Sequence, residues 1–545
     1  MKEILRIKYV IVLIIAVCLI FLNIDLNNLQ KSKDVTSLVI YGDNISTDYV
    51  PFVENDSVYI SVDTISKVID QNIYYDKITS KVIITTYSDV LKLKIDDKKL
   101  FKNTKYADIK NAAKLVDDMA YIPIDEVKDI YNIDISYNQK TNTISIDKKN
   151  VDSGTTKYNK LNIYSNIDTR SNVIEKVNKN TALTVYTEGL EHNRWYKVKT
   201  ENGAVGYISK KCIEVTKNNE KDSTTKNSDG KAQKIDMFWQ YGSSLSTLGL
   251  EKIQGVNVVS PTWFELSSSK GDISSKFDQN YYNQAKTLGY KIWPIITNGI
   301  DSANYSASTV SSLLNSEYNR QQLINNIINL LNKYNLDGIN IDFEQMKTED
   351  KDMFTQFIRE LAPIMRKNSK TLSVDMYFVA YIDRARVGEA SDYIALMGYD
   401  QRGNWSSKAG SISEISWVDS NISSLINDSK VDPSKIILGI PFYTRLWIED
   451  STDQSLTTNI YSMKTCQTFI AEHNLTPILD QDAGQNYVQY TSGNVTYKLW
   501  IEDNDSIKKR IEIVNKYNLA GVSGWKKGLE LSSTWQVIND NLNKQ

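Results

Sequence analysis

Histidine and cysteine are almost missing from these 545 residues, and the shortage removes whole classes of chemistry. The two histidines, His192 and His473, cannot furnish a His-based metal site or a Ser-His-Asp triad. Of the three cysteines, Cys18 lies inside an apolar run and Cys212 and Cys466 stand far apart, which is neither a disulfide framework nor a set of zinc ligands. Excess charge is missing too: 64 basic against 66 acidic residues leave a net charge of -2. Such a chain has no basic field with which to hold a phosphate backbone, so a neutral ligand is expected and a nucleic acid is not. No metal and no cofactor is expected either. Any catalysis has to run on carboxylates.

The length predicts three or four folded units. At the start, Lys2, Arg6 and Lys8 precede a nearly unbroken apolar run from Tyr9 to Leu22. That run suits an export signal and is short for a spanning helix, which needs roughly 20 apolar residues. The stretch from Asn23 to Lys33 offers no small-x-small cleavage site. Residues 1–30 are therefore read as an uncleaved signal anchor, with a cleaved signal peptide as the alternative. Either way the rest of the chain is expected outside the cytoplasm, at the cell surface if the anchor stays.

Between about 35 and 150 the sequence repeats. Tyr59-Ile60-Ser61-Val62-Asp63 recurs as Tyr121-Ile122-Pro123-Ile124-Asp125, and Tyr75 to Ile84 recurs as Tyr137 to Ile146, both displaced by 62 positions (121 - 59 = 137 - 75). Each copy predicts a strand, a short helix (Asp63 to Ile69, Asp125 to Ile130) and two strands around a turn. The pattern resembles the copper amine oxidase N-terminal-like domain of bacterial surface proteins, although nothing in it would ligate copper. Residues 157–216 predict five short strands. Trp195-Tyr196-Lys197-Val198 followed by Gly206-Tyr207-Ile208 resembles a bacterial SH3-like barrel, whose relatives bind cell-wall peptides; Trp195 and Tyr207 read equally well as core aromatics of a spacer. Residues 217–232 are polar, without apolar pattern, and read as a linker.

From 233 to 545 strands alternate with helical stretches. Eight candidate strands begin at Ile235, Val256, Lys291, Gly338, Leu372, Tyr393, Ile436 and Gly521, which predicts a (β/α)8 TIM barrel with its active site at the C-terminal ends of the strands. In Asp337-Gly338-Ile339-Asn340-Ile341-Asp342-Phe343-Glu344 the polar residues Asn340, Asp342 and Glu344 alternate with Ile339, Ile341 and Phe343. Period-2 alternation puts the polar column on the barrel axis and the apolar one under the helices. Crowding by Asp342 is expected to raise the pKa of Glu344, which suits a proton donor.

This segment resembles the Asp-x-x-Asp-x-Asp-x-Glu signature of the family 18 glycoside hydrolases. Asp337, Asp342 and Glu344 match, while Asn340 stands where the pattern has another Asp. Met397-Gly398-Tyr399-Asp400, then Gly439-Ile440-Pro441-Phe442-Tyr443 with Arg445, then Gly521-Val522-Ser523-Gly524-Trp525 follow in the family's order. The resemblance implies substrate-assisted retention, in which the substrate's own 2-acetamido oxygen attacks the anomeric carbon. It also implies the roles: Glu344 as general acid and base, Asp342 orienting the acetamido group, Tyr399 bonding its carbonyl and Trp525 flooring the pocket. Asp337 and Asn340 would support them, and Met397, Asp400, Tyr443, Arg445 and Trp447 would contact substrate. Asn340 can donate a hydrogen bond to Asp342 but cannot take up its proton. Trp239, Trp263, Trp293, Tyr377 and Trp405 are further candidates for stacking on sugars. The expected partner is a polysaccharide containing N-acetylglucosamine, with peptidoglycan of cell wall or spore cortex preferred. A chitinase and a non-catalytic glycan-binding surface protein are the rivals.

Overall fold

The computed structural model describes residues 36–187, 194–218, 233–242, 250–299 and 306–542. The 1–30 export segment and nearly all of the 217–232 linker lie outside them. Among the described residues no helix is long and apolar enough to cross a membrane. The chain forms two compact units; the second takes in Ser228 onward together with Thr85–Val90.

The sequence repeat is visible in the first unit. Strands Ser57–Ser61 and Met119–Pro123 pair antiparallel with Ile60 opposite Ile122, so the equivalent residues of the two copies meet at the centre of the ladder. The first copy carries the helix Val62–Val68, N-capped by the Ser61 hydroxyl. In the second copy Pro123 replaces that serine, and the expected helix breaks into a single 3-10 turn, Ile124–Glu126, and one short helix, Lys128–Tyr131. A prolyl ring offers no oxygen to cap the orphan amides of a first turn. The module from Asp152 to Thr216 is a seven-stranded antiparallel barrel-like sheet around Ile163, Val185, Val198 and Ile208. Trp195 and Tyr207 are half-buried on it rather than part of that core. The two modules are tied together: Asp147 takes the buried Lys199 ammonium and the Tyr186 hydroxyl, and Lys197 pairs with Asp43.

The second unit is a closed parallel barrel of eight strands. They are β1 (Ile235–Gln240), β2 (Val258–Leu266), β3 (Ile295–Thr297), β4 (Gly338–Asp342), β5 (Thr371–Met376), β6 (Tyr393–Met397), β7 (Ile436–Pro441) and β8 (Gly521–Trp525), each bonded to the next and β8 back to β1. All eight lie where the alternating pattern puts them. Parallel strands covered on both faces must be apolar nearly throughout, and β1 and β7 are buried at every position. Gly338 opens β4 because a Cβ there would lie 2.5 Å from the Thr371 carbonyl and 2.8 Å from the Trp293 ring.

The sequence gives no warning of a second small sheet between β7 and β8. Strands Tyr443–Asp450, Ser455–Ser462, Ile478–Asp480, Gln485–Ser492 and Val495–Trp500, with the helix Met463–Glu472, form an α+β insertion. It has its own core of Leu446, Cys466, Phe469, Val488 and Leu499.

One group works against this fold. Asp236, on the helix-facing side of β1, is 1% exposed, and burial pushes its carboxyl up to about 8. The folded form therefore keeps a proton that the unfolded chain releases near 3.8. Stability contributed in this way is full below about pH 4 and falls as pH rises toward 8, by about 1.4 kcal/mol per unit. In Asp236→Asn that slope is expected to vanish, with the barrel gaining stability relative to the parent at pH 8. Urea titrations of both proteins between pH 4 and 8 measure it, and parallel pH profiles for the two would refute it.

Candidate active site

The polar column of β4 turns inward as its alternation requires. Asn340 is fully buried, and Asp342 and Glu344 are half-buried in sequence toward the C-terminal mouth. Glu344 lies just past the strand, where a side chain is free of the ladder but its backbone needs other partners. Asn298, after β3, supplies them: its Nδ2 donates to the Glu344 carbonyl at 2.6 Å and its Oδ1 accepts from the Glu344 N–H at 3.3 Å. The next residue, Gln345, adopts a left-handed conformation (φ 48°) and donates its N–H to the Tyr381 hydroxyl at 3.1 Å. Glu344 is thus held by its main chain on both sides. Nothing in the sequence pattern marks Asn298 or Tyr381.

Tyr399 and Asp400 follow β6. The Tyr399 hydroxyl is pushed well above its ordinary range, by burial first and then by Tyr377, Tyr443, Asp375 and Asp400, so it stays a hydrogen-bond donor. Asp400 has φ 57° and is bonded by the Tyr443 hydroxyl. Burial raises its carboxyl, against the pull of Tyr443, Arg445 and Tyr377. Trp525 ends β8, with its ring 6.5 Å from that of Tyr399 at 22° and 5.9 Å from that of Trp239 at 66°. Met397, at the end of β6, is buried in the same aromatic cluster. Tyr377, half-buried, stands edge-on to Tyr399 at 6.4 Å.

Other expected residues are placed elsewhere. Asp337 sits before the first residue of β4, at the opposite end of the barrel, where its Oδ2 accepts from Lys286 and from the Ile292 N–H. Trp447 is 1% exposed and donates its indole N–H to the Gly410 carbonyl, so it anchors a loop and offers no ring face. Trp239, Trp263 and Trp293 are likewise buried. Trp405 is 66% exposed, with the Arg445 guanidinium 6.0 Å above its ring. Asn340 also departs from expectation: its Nδ2 donates at 2.6 Å to Asp375 on β5, rather than to Asp342. The amide is oriented by Ser373, whose hydroxyl donates to Asn340 Oδ1. Sequence reasoning missed Asp375, although Ser373 and Asp375 alternate with Leu372, Val374 and Met376 on β5 as the polar column does on β4.

A family model of the glycosyl hydrolases family 18 matches residues 254–529. Those of the copper amine oxidase N-terminal domain and the bacterial SH3 domain match 39–146 and 159–214. The chain is similar to an uncharacterized glycosylase, YvbX, of Bacillus subtilis (strain 168), at 25% identity over 57% of this chain and 92% of that one. It is 26% identical to the cortical fragment-lytic enzyme of the same organism over 46% of this chain, and spans 59% of that relative's length. Among solved structures, a chitinase from Chromobacterium violaceum ATCC 12472 (TM-score 0.51, 19% identity, 57% of this chain and 100% of that one) shares the fold. So does the spore cortex-lytic enzyme SleL of Bacillus megaterium QM B1551 (TM-score 0.51, 19% identity, 63% and 77%).

Proposed function

The chain belongs to the glycosyl hydrolases family 18 and is a glycosidase, and from that premise we propose that it cleaves β-1,4 bonds of N-acetylglucosamine in peptidoglycan by substrate-assisted retention. The observation that carries this reading is the grouping at the mouth of β4: Asp342 and Glu344 on the inner face, the Glu344 backbone clamped by Asn298, and the protonated Tyr399 hydroxyl beside the Trp525 ring. The substrate's acetamido oxygen attacks the anomeric carbon while Glu344 protonates the leaving oxygen, and Glu344 then draws a proton from the incoming water. Asp342 orients the acetamido N–H and balances the positive charge of the cyclic intermediate. Tyr399 donates to the acetamido carbonyl, and Trp525 presents its ring to the sugar. Asp400 and Tyr443 hold the edge of the pocket through their mutual hydrogen bond, with Arg445 beside them.

Peptidoglycan is favoured by the name of one relative, a cortical fragment-lytic enzyme, and by the match to the bacterial SH3 domain that precedes the barrel. Such a substrate places the work outside the cytoplasm, consistent with the export signal read at residues 1–30. Incubating the extracellular part with purified peptidoglycan and, separately, with chitin oligosaccharides tests the reading, with released reducing ends identified by mass spectrometry. N-acetylglucosamine ends released from peptidoglycan are expected. Release from chitin alone moves the enzyme to the chitinases, and binding of both without turnover makes the barrel a glycan-binding module.

A further inference from the structure

The candidate site contains a third carboxyl group that the proposed mechanism does not use. Asp375 projects from β5 into the barrel and is 4% exposed. β4 and β5 run in register with Asn340 beside Ser373 and Ile341 beside Val374, so Asp342 and Asp375 are the next neighbours. Adjacent strands lie about 4.8 Å apart. The Ser373–Asn340 hydrogen bond shows that these two side chains face the same side; Asp342 follows Asn340 by two residues, as Asp375 follows Ser373 by two, and period 2 returns both to that inner face.

Burial drives the Asp375 carboxyl well above its ordinary range, and the charge of Glu344 raises it further. The hydrogen bond from Asn340 and the influence of the nearby Trp239 indole pull the other way without prevailing. The titratable groups around it are Asp342 and Glu344 from β4, Tyr377 beyond its own strand and Tyr399 after β6; Asp400, Tyr443 and Arg445 stand farther out. No cation is among the groups that act on it, and among the described residues no cluster of acids or histidines is arranged to hold a metal ion. The buried Asp375 carboxyl, with no cation acting on it, favours its protonated form. Asn340 cannot carry the proton: its Oδ1 accepts from Ser373 and its Nδ2 donates to Asp375 Oδ2. The oxygen left for the proton is Asp375 Oδ1, which is buried.

We propose that Asp375 shares one proton with Asp342 and so acts as a positioning residue for the Asp342–Glu344 pair. The step is a plain transfer: the O–H bond on Asp375 breaks as one forms on an Asp342 carboxylate oxygen, and the two together carry a single negative charge before and after. Asp342 can then be anionic beside the cationic intermediate, with the shared proton on Asp375, and neutral in the resting enzyme, where Glu344 holds its own proton. The function of this pair rests on the mechanism proposed above; its protonation does not.

Two measurements on the full chain test it. In kcat/KM against pH, Asp375→Asn leaves Asp342 to take its proton from solvent alone, so the profile is expected to move to lower pH by about one unit, with activity at pH 7 down about tenfold and KM within about threefold. Returning the carboxyl to β4, in Asn340→Asp with Asp375→Asn, is expected to bring the profile back. A uniform loss at every pH with both limbs unmoved, or no rescue by the double substitution, would overturn the proposal. Independently of turnover, infrared spectra with isotope-labelled aspartate are expected to show at neutral pH in the parent, beyond the protonated carboxyl of Asp236, a second protonated carboxyl band that Asp375→Asn lacks. Absence of that band in the parent overturns the shared proton even if the enzyme is active, whereas its presence in a protein that cleaves no glycan overturns the assigned reaction and leaves the pair standing.

Discussion

Exchanging Glu344 for Gln is expected to lower kcat on an N-acetylglucosamine oligosaccharide by about 10²- to 10⁴-fold, the range a positioned general acid supplies, with KM changed by less than about threefold. Gln keeps the length and the hydrogen-bonding shape of the side chain but has no proton to give to the leaving oxygen. The backbone at this position is fastened by Asn298 on the one side and, through Gln345, by Tyr381 on the other. These bonds go to main-chain atoms, so the substitution leaves them in place and changes the chemistry of the side chain. A steady-state comparison with the parent, together with direct binding of the uncleaved oligosaccharide, separates the two effects. Turnover within tenfold of the parent would remove Glu344 from the role of acid. Lost binding would mean that the residue serves the fold of the mouth instead.

Much of this architecture is legible in the sequence, for reasons that differ from element to element. The eight barrel strands are visible because parallel strands covered on both faces are mostly apolar, and β4 draws attention by its alternating Asn340 and Asp342 leading to Glu344. The tandem repeat is visible because two copies of one unit meet through the same residues, Ile60 and Ile122. The insertion between β7 and β8 escapes because its strands mix polar and apolar residues without a clean period and follow β7 after a single residue, Phe442. Trp447 looks like a surface aromatic next to Arg445, yet its ring is buried with the indole N–H on the Gly410 carbonyl, while the Arg445 guanidinium lies over the exposed Trp405. Asp337 shares a sequence motif with Glu344, but seven positions of extended chain span roughly 23 Å, which puts the two at opposite ends of the barrel. The Asp375 contact is the hardest to read. It depends on the register between β4 and β5, and no pattern within either strand encodes that.

Exchanging Arg510 for Met is expected to destabilise the second unit by about 3–5 kcal/mol, the cost of stranding a buried charge. Arg510 and Glu502 are both fully buried and form a two-pronged ion pair at 2.6 and 2.9 Å. The remaining capacity of each is filled: Gln485 and Ser506 donate to Glu502, while Arg510 donates to the hydroxyl and carbonyl of Ser413. Ser413 in turn bonds the Gly398 carbonyl at 2.6 Å, next to Tyr399. One network therefore joins the insertion, the helix Asn504–Lys516 and the loop that carries Tyr399 and Asp400. Met fills the space of the arginine stem but leaves the buried Glu502 carboxyl with the neutral donors Gln485 and Ser506 and without its cation. Burial already raises that carboxyl, and Arg510 is the first of the groups that lower it again. Without Arg510 the folded state holds a proton on Glu502 that the unfolded chain releases, so the loss grows as pH rises from about 5 to 8. Adding Glu502→Gln to Arg510→Met removes the titrating group and is expected to recover part of the stability and to return the pH slope to that of the parent. Urea denaturation of the single and double variants at both pH values measures this directly. A single variant that loses no more stability between pH 5 and pH 8 than the parent does would mean that Glu502 finds another partner, and that the Tyr399 loop is held by Ser413 without the ion pair.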